Sequence, residues 1–573
     1  MTLENRTNDR FDGSTEPTAT QEFECNQEGV FFVGSGRLRI CGPLRVIARV
    51  RDMNGNNWSR TLEWHDADGM RHEATVTEAS MTGNGEALVR TLVDGGLWVC
   101  MRRNASELLV RYLRSCDAPR RRSVAHLGWE GGVFVTPSIT YGGSGEPVVF
   151  QSSAAVQPTW AQSGTLDEWK THVARLAVGN SRLVLAIASA FAAPMLRVLD
   201  VESGGFHLFG TSSSGKTTAL RVAASVYGAP KKYVRSWNST ANALEGMAAL
   251  HRDCLLPLDE MSQASAAHVG QAVYMFGNEV GKGRMLATTD LRESAKLRLI
   301  FFSDGEIGVE AHMARDQLKT NTGQVVRAAE IDADAGAGLG AFEELHECAS
   351  GKELSDALLG NANLYHGTAI HSFLSILVEQ QAELRASGIE EVRRLAARLT
   401  GSDAPAQVAR VATRFALVAC AGEYATDWGV TGWEPGESAR AAATCFAVWR
   451  ERYGHDGAKE DAEIVALFRT HFQLHGASHF ESRTKEDGRV VLKRYGFVDT
   501  DENGELQFYV SPAAFKQMCG HFDPRRASRV LIDRGLLLAD SLGKSTRPVR
   551  LPKLSGATTR CYVFRGSMVL CES

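Results

Sequence analysis

The pattern of hydrophobic and polar positions changes several times along the chain. From about residue 31 to 155, short segments of alternating polarity, such as LRVIARVRD, RTLEWHD and HEATVT, are separated by turn-forming runs such as DMNGNN and TGNGE. Such alternation is typical of half-buried β-strands, so we predict a β-rich N-terminal domain over 31–155. Residues 1–30 are polar and rich in Thr, Asn, Glu and Asp, and they predict a disordered tail.

Helical spacing dominates the next part of the chain. The segment LDEWKTHVARLAV and the apolar run after it predict two helices that lead to the short apolar strand FHLF. Further apolar strand patterns, CLLPLD and LRLIFF, predict an α/β core with its leading helices over 156–335. Apolar residues at 3.6-residue spacing in LYHGTAIHSFLSILVEQQAEL and AQVARVATRFALVACAGEYA predict a helical lid domain over 336–455.

The last segment, 456–573, combines helices and short strands in the order expected of a winged helix. The helix DAEIVALFRTHFQLHG is followed by a strand pair around RVVLKRYGFVD, and then by the helices SPAAFKQMCG and DPRRASRVLIDRG. The last helix is locally basic, which favours DNA binding. A module that docks subunits is the alternative interpretation. The candidate DNA-binding residues here are Arg525, Arg526 and Arg529.

Composition and charge describe an ordinary globular protein. The 573 residues are 44% hydrophobic and 23% charged, and the net charge is −4, so any nucleic-acid surface must be local. The eleven cysteines include no C-x-x-C pair and suit a reducing, cytoplasmic setting. The apolar run Leu183–Leu196 is too short to span a bilayer, so we expect a buried helix and no membrane association.

The stretch GTSSSGKTTAL carries the first candidate chemistry. It satisfies G-x-x-x-x-G-K-[ST] between an apolar strand and a helical pattern, which predicts a phosphate-binding loop. Backbone N–H groups of the loop and the helix N-terminus would face the phosphates of ATP, the lysine would reach the β- and γ-phosphates, and Thr217 would ligate Mg²⁺. The predicted ATP-binding residues are Gly210, Thr211, Ser212, Ser213, Ser214, Gly215, Lys216, Thr217 and Thr218.

An acidic pair supplies the second element that a nucleotide hydrolase requires. The apolar strand CLLPL ends in Asp259 and Glu260; the aspartate can hold Mg²⁺ and the glutamate can activate the attacking water. The D-E pair favours an ATPase of the AAA+ type over a kinase. Ser303, at the end of LRLIFFSDGE, is a candidate γ-phosphate sensor, or a polar strand end without contact. Asn238 is a weaker candidate beside Glu260.

Several motifs together resemble one known family. GWEGGVFVTPS, ESGGFHLFGTSSSGKTTAL, VYGAP, LPLDE, GNEVGKGRM, FFSDGE, TGQVVRAAEID and RFALVACAGEYATDWGVTGW occur in an order that resembles a domain-of-unknown-function P-loop ATPase family of phages, plasmids and mobile elements. That family is similar to minichromosome-maintenance-like AAA+ helicases. The resemblance covers about residues 35–455 and implies an ATPase core more firmly than it implies helicase action.

The resemblance also implies roles for several basic residues. Lys282 and Arg284 in GNEVGKGRM would lie on a β-hairpin that grips DNA in a ring's pore; a solvated basic turn or a contact to nucleotide in trans are the alternatives. Arg327 would be an arginine finger acting on a neighbouring subunit's ATP. Arg410 and Arg414, at i and i+4 of one helix, would include the second sensor arginine; helix-surface salt bridges are the alternative.

These features lead to one preferred hypothesis and two rivals. The preferred function is an ATP-driven, ring-forming DNA motor, a replicative helicase of a mobile element, acting on single-stranded or forked DNA as a homo-hexamer. One rival is a nucleotide-switched regulatory ATPase that binds DNA or protein without unwinding. The other is a protein remodeller.

Overall fold

The computed structural model describes most of the chain. The described residues are 22–34, 36–82, 85–102, 104–152, 158–281, 284–285, 291–292, 296–316, 326–401, 404–453, 459–483, 491, 493–502, 504–520, 522–541, 543–550 and 558–566. The chain divides into two compact units. The first comprises Met1–Leu318, Glu330–Arg393 and Ala416–Ala442, and the second comprises Lys319–Ala329, Arg394–Phe415 and Ala443–Ser573.

Short strands and two helices form the N-terminal part of the first unit. The strands are Phe23–Asn26 (β1), Gly29–Phe32 (β2), Leu38–Cys41 (β3), Leu44–Asp52 (β4), Ser59–His65 (β5), Arg71–Thr77 (β6), Arg120–Val124 (β7), Gly128–Glu130 (β8), Val133–Val135 (β9), Thr140–Tyr141 (β10) and Val148–Phe150 (β11). The helices are Glu86–Asp94 (α1) and Ala105–Ser115 (α2). The strands form sheets of order β1-β2-β3, β10-β9-β8 and β11-β7-β4-β5-β6.

The first two strands differ from the sequence-based expectation, because they lie partly or wholly within the range 1–30 that was expected to be a disordered tail. Phe23 is buried, and its ring packs 5.6 Å from the ring of Phe32 and 5.7 Å from that of Tyr112. Burial of aromatic surface stabilises this short sheet even though the surrounding sequence is polar. The prediction of a disordered tail is therefore wrong for Phe23–Asn26 and for Gly29 and Val30.

The α/β core predicted from the sequence follows in the chain. Its helices and strands are Leu166–Trp169 (α3), Arg175–Ala177 (α4), Ser181–Leu199 (α5), Gly204–Phe209 (β12), Lys216–Ser225 (α6), Pro230–Tyr233 (α7), Arg235–Ser236 (β13), Ala241–Leu250 (α8), Leu255–Asp259 (β14), Ala266–Asn278 (α9), Arg284–Met285 (β15), Leu291–Arg292 (β16), Ile300–Gly305 (β17), Val309–Arg315 (α10) and Ala328–Asp332 (β18). A π-helical turn, Lys170–Ala174, joins α3 to α4, and a 3₁₀ turn, Met261–Gln263, follows β14.

One sheet organises this core. Its strand order is β13-β14-β17-β12-β18, and the pairs β12–β17, β14–β17 and β13–β14 are parallel. In chain order, the first strand of this sheet, β12, therefore lies between the fourth, β17, and the fifth, β18. Right-handed crossover connections to both sides of the first strand produce this order. Because the strands are parallel, the carboxyl ends of β12, β14 and β17 meet at one edge of the sheet. The P-loop and the acidic pair follow those ends.

Helix α5 is the apolar run that was expected to be a buried helix. It extends over Ser181–Leu199 and is long and apolar enough to cross a membrane. However, 94% of its most apolar part is buried inside the fold. Its surroundings are protein on nearly all sides, as for the core helix of a globular domain. Pro194 lies inside it, and the carbonyl of that residue accepts a hydrogen bond from Trp129 Nε1 at 2.7 Å.

Helices make up most of the chain between the core and residue 453. They are Gly351–Leu364, Thr368–Glu379, Gln381–Glu383, Ile389–Thr400, Ala406–Asp427 and Glu437–Tyr453, with a π-helical turn over Leu384–Gly388. Helices thus occupy the range in which the 3.6-residue spacing predicts them.

The C-terminal part of the second unit has its own core. Its helices are Lys459–His475, Pro512–Met518 and Pro524–Asp533, and its strands are Phe480–Ser482 (β19), Gly496–Thr500 (β20), Leu506–Val510 (β21), Arg547–Arg550 (β22) and Thr558–Arg565 (β23). The strand order is β19-β20-β21-β23-β22, and Phe468, Phe472, Phe515 and Phe564 lie in the core. Two successive helices are followed by the antiparallel strand pair β22–β23, and the winged-helix assignment of this region stays a prediction.

Candidate active site

The P-loop connects β12 to α6, as the sequence motif predicts. Gly215 is the residue before α6 and has φ 86°, a left-handed conformation that favours glycine. A Cβ atom at this position would also lie 3.1 Å from the ring of Phe342, so a side chain there would crowd that ring. Ser213 adopts φ 62° within the same loop. These backbone angles make the tight turn that directs successive N–H groups into the loop.

The lysine of the motif is turned into its own loop. Lys216 Nζ donates to the carbonyl oxygens of Gly210 at 3.0 Å and Thr211 at 2.6 Å, and to Ser214 Oγ at 3.2 Å. The side chain is buried, and an ammonium group buried without acceptors is costly. In this structure the three loop oxygens accept the hydrogen bonds of the ammonium group, and the oxygens of a phosphate group can replace them.

A buried carboxylate joins the P-loop helix to the acidic pair. Asp304 Oδ2 accepts a hydrogen bond from Thr217 Oγ1 at 2.8 Å, and its Oδ1 accepts one from the backbone N–H of Glu260 at 2.9 Å. Asp304 is only 2% exposed, and burial, with the neighbouring carboxylate of Asp259, raises its pKa to about 7. The structure thus brings Thr217, Asp259 and Glu260 together around a residue that the sequence reasoning missed.

Glu260 has an unusual backbone for a non-glycine residue. Its φ of 58° and ψ of 71° lie in the left-handed region, which costs about 1–3 kcal/mol and is common at active sites. Asp304 stabilises this conformation through the Glu260 N–H, and Ser262 Oγ donates a short hydrogen bond to the glutamate side chain. The glutamate is half-buried at the carboxyl end of β14, directly after Asp259.

The oxygen ligands at this edge fit a magnesium ion. A hydroxyl from Thr217 and carboxylates from Asp259 and Asp304 are the hard oxygen donors that Mg²⁺ prefers. Burial is the main cause of the raised pKa of Asp304, the Asp259 carboxylate adds to it, and a bound cation would favour the charged form of Asp304. Within the described ranges, no group of three or more His, Cys, Asp or Glu side chains forms a complete metal site.

Two predicted site residues have other partners. Ser303 lies inside β17 rather than at its end, is 1% exposed, and accepts a hydrogen bond from Trp237 Nε1 at 2.7 Å. The next residue, Asp304, contacts the P-loop helix instead, because successive strand residues face opposite sides of the sheet. The Thr218 hydroxyl is buried against Ser355 Oγ at 2.7 Å, so only its backbone remains for phosphate contact.

Asn238 lies at the same edge of the sheet. Strand β13 pairs Ser236 with Asp259, and the next residue, Trp237, donates its backbone N–H to the carbonyl of Asp259 at 3.1 Å. Asn238 follows at once and is exposed. The structure therefore places this candidate near the acidic pair.

The candidate arginine finger, Arg327, and the two candidate sensor arginines, Arg410 and Arg414, belong to the second unit. Arg327 is half-buried directly before β18, and Arg410 is exposed on the helix Ala406–Asp427. Arg414, on the same helix, is 2% exposed and donates through Nη1 to the carbonyl of Val326 at 3.1 Å. Arg414 is thus tied to the segment that carries Arg327.

The predicted DNA-binding residues lie in two places. Lys282 is outside the described residues, whereas Arg284 lies in β15, which pairs antiparallel with β16 as the predicted hairpin requires. Arg525, Arg526 and Arg529 are exposed on the helix Pro524–Asp533, where Asp523 caps the N-terminus. Arg526 forms an ion pair with Asp461 at 3.0 Å.

Comparisons with known proteins agree with this architecture. Residues 20–296 match the family model described as "Domain of unknown function (DUF927)", in agreement with the resemblance drawn from the motifs. A solved structure described as "SCCmec type IV Cch - active helicase" matches with a TM-score of 0.69 and 17% identity, over 96% of this chain and 98% of that one. The two chains share a fold.

Other comparisons add little. Two structures of the "NrS-1 C terminal region" are 9% and 10% identical and cover 62% and 59% of this chain, and 74% and 75% of theirs. Their TM-scores of 0.26 and 0.22 are too low to carry an argument. No curated protein matches the chain.

Proposed function

We propose that the protein is an ATP-hydrolysing AAA+ motor acting on DNA, a ring-forming replicative helicase of a mobile element. One observation carries the ATPase part of this proposal: the hydrogen-bonded chain from Thr217 through Asp304 to Glu260. It joins a phosphate-binding loop to a strained glutamate at the carboxyl edge of a parallel sheet. The strand order and the shared fold with a structure described as an active helicase support the motor part.

Each residue at the edge has a distinct task in this mechanism. Backbone N–H groups of the P-loop and the Lys216 ammonium bind the β- and γ-phosphates, and Lys216 gives up its loop oxygens to do so. Thr217 and Asp259 would hold Mg²⁺, which neutralises the charge of the triphosphate. Glu260 orients the attacking water and accepts its proton, while Asp304 positions Thr217 and Glu260 relative to each other.

The action on DNA rests on a second group of residues. In a ring, with a hexamer as the expected size, Arg327 would reach the ATP of a neighbouring subunit. The hairpin of β15 and β16 would contact a DNA strand, and the exposed arginines of the helix Pro524–Asp533 would bind phosphates. A cytoplasmic location belongs to the same proposal.

The test combines ATPase and strand-separation assays on the full chain with and without forked DNA. We expect DNA-stimulated turnover and strand separation in the wild type, and neither in Lys216→Ala. Glu260→Gln should retain ATP and assembly but lose turnover, because its amide cannot accept the proton. Retained turnover in Glu260→Gln refutes the assigned base. Turnover that DNA leaves unchanged favours the nucleotide-switched regulatory ATPase instead.

A further inference from the structure

A chain of buried polar groups crosses the core sheet one residue before its catalytic edge. Trp237 Nε1 donates to Ser303 Oγ at 2.7 Å, Ser303 Oγ contacts His207 Nδ1 at 3.0 Å, and His207 Nε2 contacts the carbonyl of Ile307 at 3.0 Å. The side chains of Trp237 and His207 are fully buried and that of Ser303 nearly so. Burial of polar groups at this depth lowers the stability of the fold unless each group is hydrogen-bonded.

The chemistry of the four groups fixes the direction of the chain. An indole N–H only donates and a backbone carbonyl only accepts, so His207 Nε2 must carry a proton. In a neutral imidazole, Nδ1 then accepts, and the Ser303 hydroxyl donates to it while accepting from Trp237. Every donor in this hydrogen-bonded chain therefore has an acceptor, and removal of the central hydroxyl takes away the acceptor of the Trp237 indole N–H and the donor to His207 Nδ1.

The ends of this chain bracket the candidate catalytic residues. Ser303 pairs with His207 in β12 and with Leu258 in β14, and the next residues along these strands are Leu208, Asp259 and Asp304. Since successive strand residues face opposite sides, the chain lies on the face away from Thr217, directly behind Asp304. At one end the Trp237 backbone N–H holds the Asp259 carbonyl, and at the other Ile307 follows the end of β17.

We propose that Ser303 is a positioning residue, and that the chain Trp237–Ser303–His207–Ile307 sets the spacing of Asp259 and Asp304 at the catalytic edge. This inference rests on the proposed ATPase function and gives Ser303 a role different from phosphate sensing. Misplacement of catalytic groups by about 1 Å costs up to about a hundredfold in rate. Loss of the hydroxyl should therefore lower kcat by at least about tenfold, with the KM for ATP within about twofold because the P-loop is untouched.

The protein contains a matched control for Ser303: Ser225, at the opposite end of the P-loop helix α6. Trp169 Nε1 donates to Ser225 Oγ at 3.0 Å, and that hydroxyl donates to the carbonyl of Val222 at 2.6 Å. Ser225 and Trp169 are fully buried, and Ser225 is the last residue of α6. Ser225→Ala also leaves a buried indole N–H unpaired, but far from the catalytic edge. A purely structural role of Ser303 predicts the same behaviour for both alanine variants.

The experiment measures steady-state ATPase kinetics and thermal unfolding of the full chain for five variants and the wild type. We expect Ser303→Ala and Ser225→Ala to lower the melting temperature, but only Ser303→Ala to lower kcat. Trp237→Phe should likewise lower kcat, whereas Trp169→Phe should not. This second pair of variants tests the positioning role if Ser303→Ala does not fold. Ser303→Thr, which retains the hydroxyl, should recover part of kcat.

Two outcomes overturn different proposals. If Ser303→Ala or Trp237→Phe retains the kcat of its control, the positioning role is wrong while the ATPase assignment stands. If the wild type lacks ATPase activity, or Lys216→Ala is as active as the wild type, the proposed function itself fails.

Discussion

At the residue scale, the candidate site depends on one acid at the end of β17. Asp304 contacts Thr217 through one carboxylate oxygen and Glu260 through the other. The motifs alone identify the P-loop and the acidic pair, because their spacing is set by phosphate and magnesium chemistry. They do not distinguish Ser303 from Asp304, since this choice depends on which face of β17 meets α6. Only the register of the sheet decides it.

We predict that Asp304→Asn lowers kcat by about ten- to a hundredfold, in the range seen when a partner of a metal ligand is lost. An amide accepts at only one of its terminal atoms. If its oxygen keeps the Glu260 N–H, its NH2 must donate to Thr217 Oγ1, which reverses the hydrogen bond that orients this hydroxyl. The measurement is ATPase activity over a range of Mg²⁺ concentrations. Asp334→Asn, an exposed acid after β18, is the control and should retain wild-type kcat.

A second acid should make stability depend on pH. Asp253 is 1% exposed and accepts the Trp129 N–H at 3.0 Å, and burial raises its pKa to about 6. Between the ordinary pKa of about 3.9 and this value the folded chain holds the proton more tightly, so stability falls as pH rises. Above pH 6, ionisation of Asp253 lowers the free energy of unfolding by about 3 kcal/mol.

Asp253→Asn removes this ionisation and retains an acceptor for Trp129. We expect the variant to gain stability over the wild type as the pH rises from 5 to 8, measured by urea unfolding at each pH. A difference that stays constant over this range would contradict the assigned proton affinity.

At the element scale, the approach of β12 to β17 limits the residues that the core accepts. A Cβ at Gly205 would lie 2.2 Å from the carbonyl oxygen of Phe301 and 2.4 Å from its ring. The sequence motif G-x-x-x-x-G-K-[ST] includes neither this glycine nor that contact. Apolar patterns predict the strands themselves, but they contain no information on which faces of two strands touch.

We predict that Gly205→Ala lowers the free energy of unfolding by more than about 3 kcal/mol, because overpacking at the central strand pair forces backbone shifts. Gly246→Ala is the matched control: Gly246 is exposed within α8, and a Cβ there would meet nothing within 4 Å. This second change should stabilise the chain by about 0.5–1 kcal/mol. Thermal or urea unfolding of both variants provides the measurement, and equal losses would contradict the packing argument.

At the scale of the whole molecule, the sequence predicts the class of the core and the order of its regions. It cannot predict the division into two units, because residues 319–329 and 394–415 join the C-terminal part across long separations in the chain. Burial of Phe23 likewise depends on Phe32 and Tyr112. Contacts of this kind arise from packing, which local periodicity does not specify.

Assembly gives the prediction at this scale. If Arg327 acts on the ATP of a neighbouring subunit, a mixture of Lys216→Ala and Arg327→Ala chains contains some junctions with both residues intact. We expect each variant alone to have less than about a tenth of wild-type turnover, since an arginine finger contributes 10³–10⁵-fold in related chemistry. The mixture should recover a substantial fraction. Turnover in the mixture equal to the mean of the two variants would place Arg327 outside a shared site.

The hydrogen bond from the Ala341 N–H to the Ser214 carbonyl, at 2.7 Å, connects the P-loop to the segment after β18. Ser214 is also one of the three groups that hold the Lys216 ammonium. In the proposed mechanism, entry of a triphosphate would release that ammonium from Ser214, the residue whose carbonyl accepts from the Ala341 N–H. Deuterium uptake at this amide should therefore report occupancy of the loop before any bond in the nucleotide is broken.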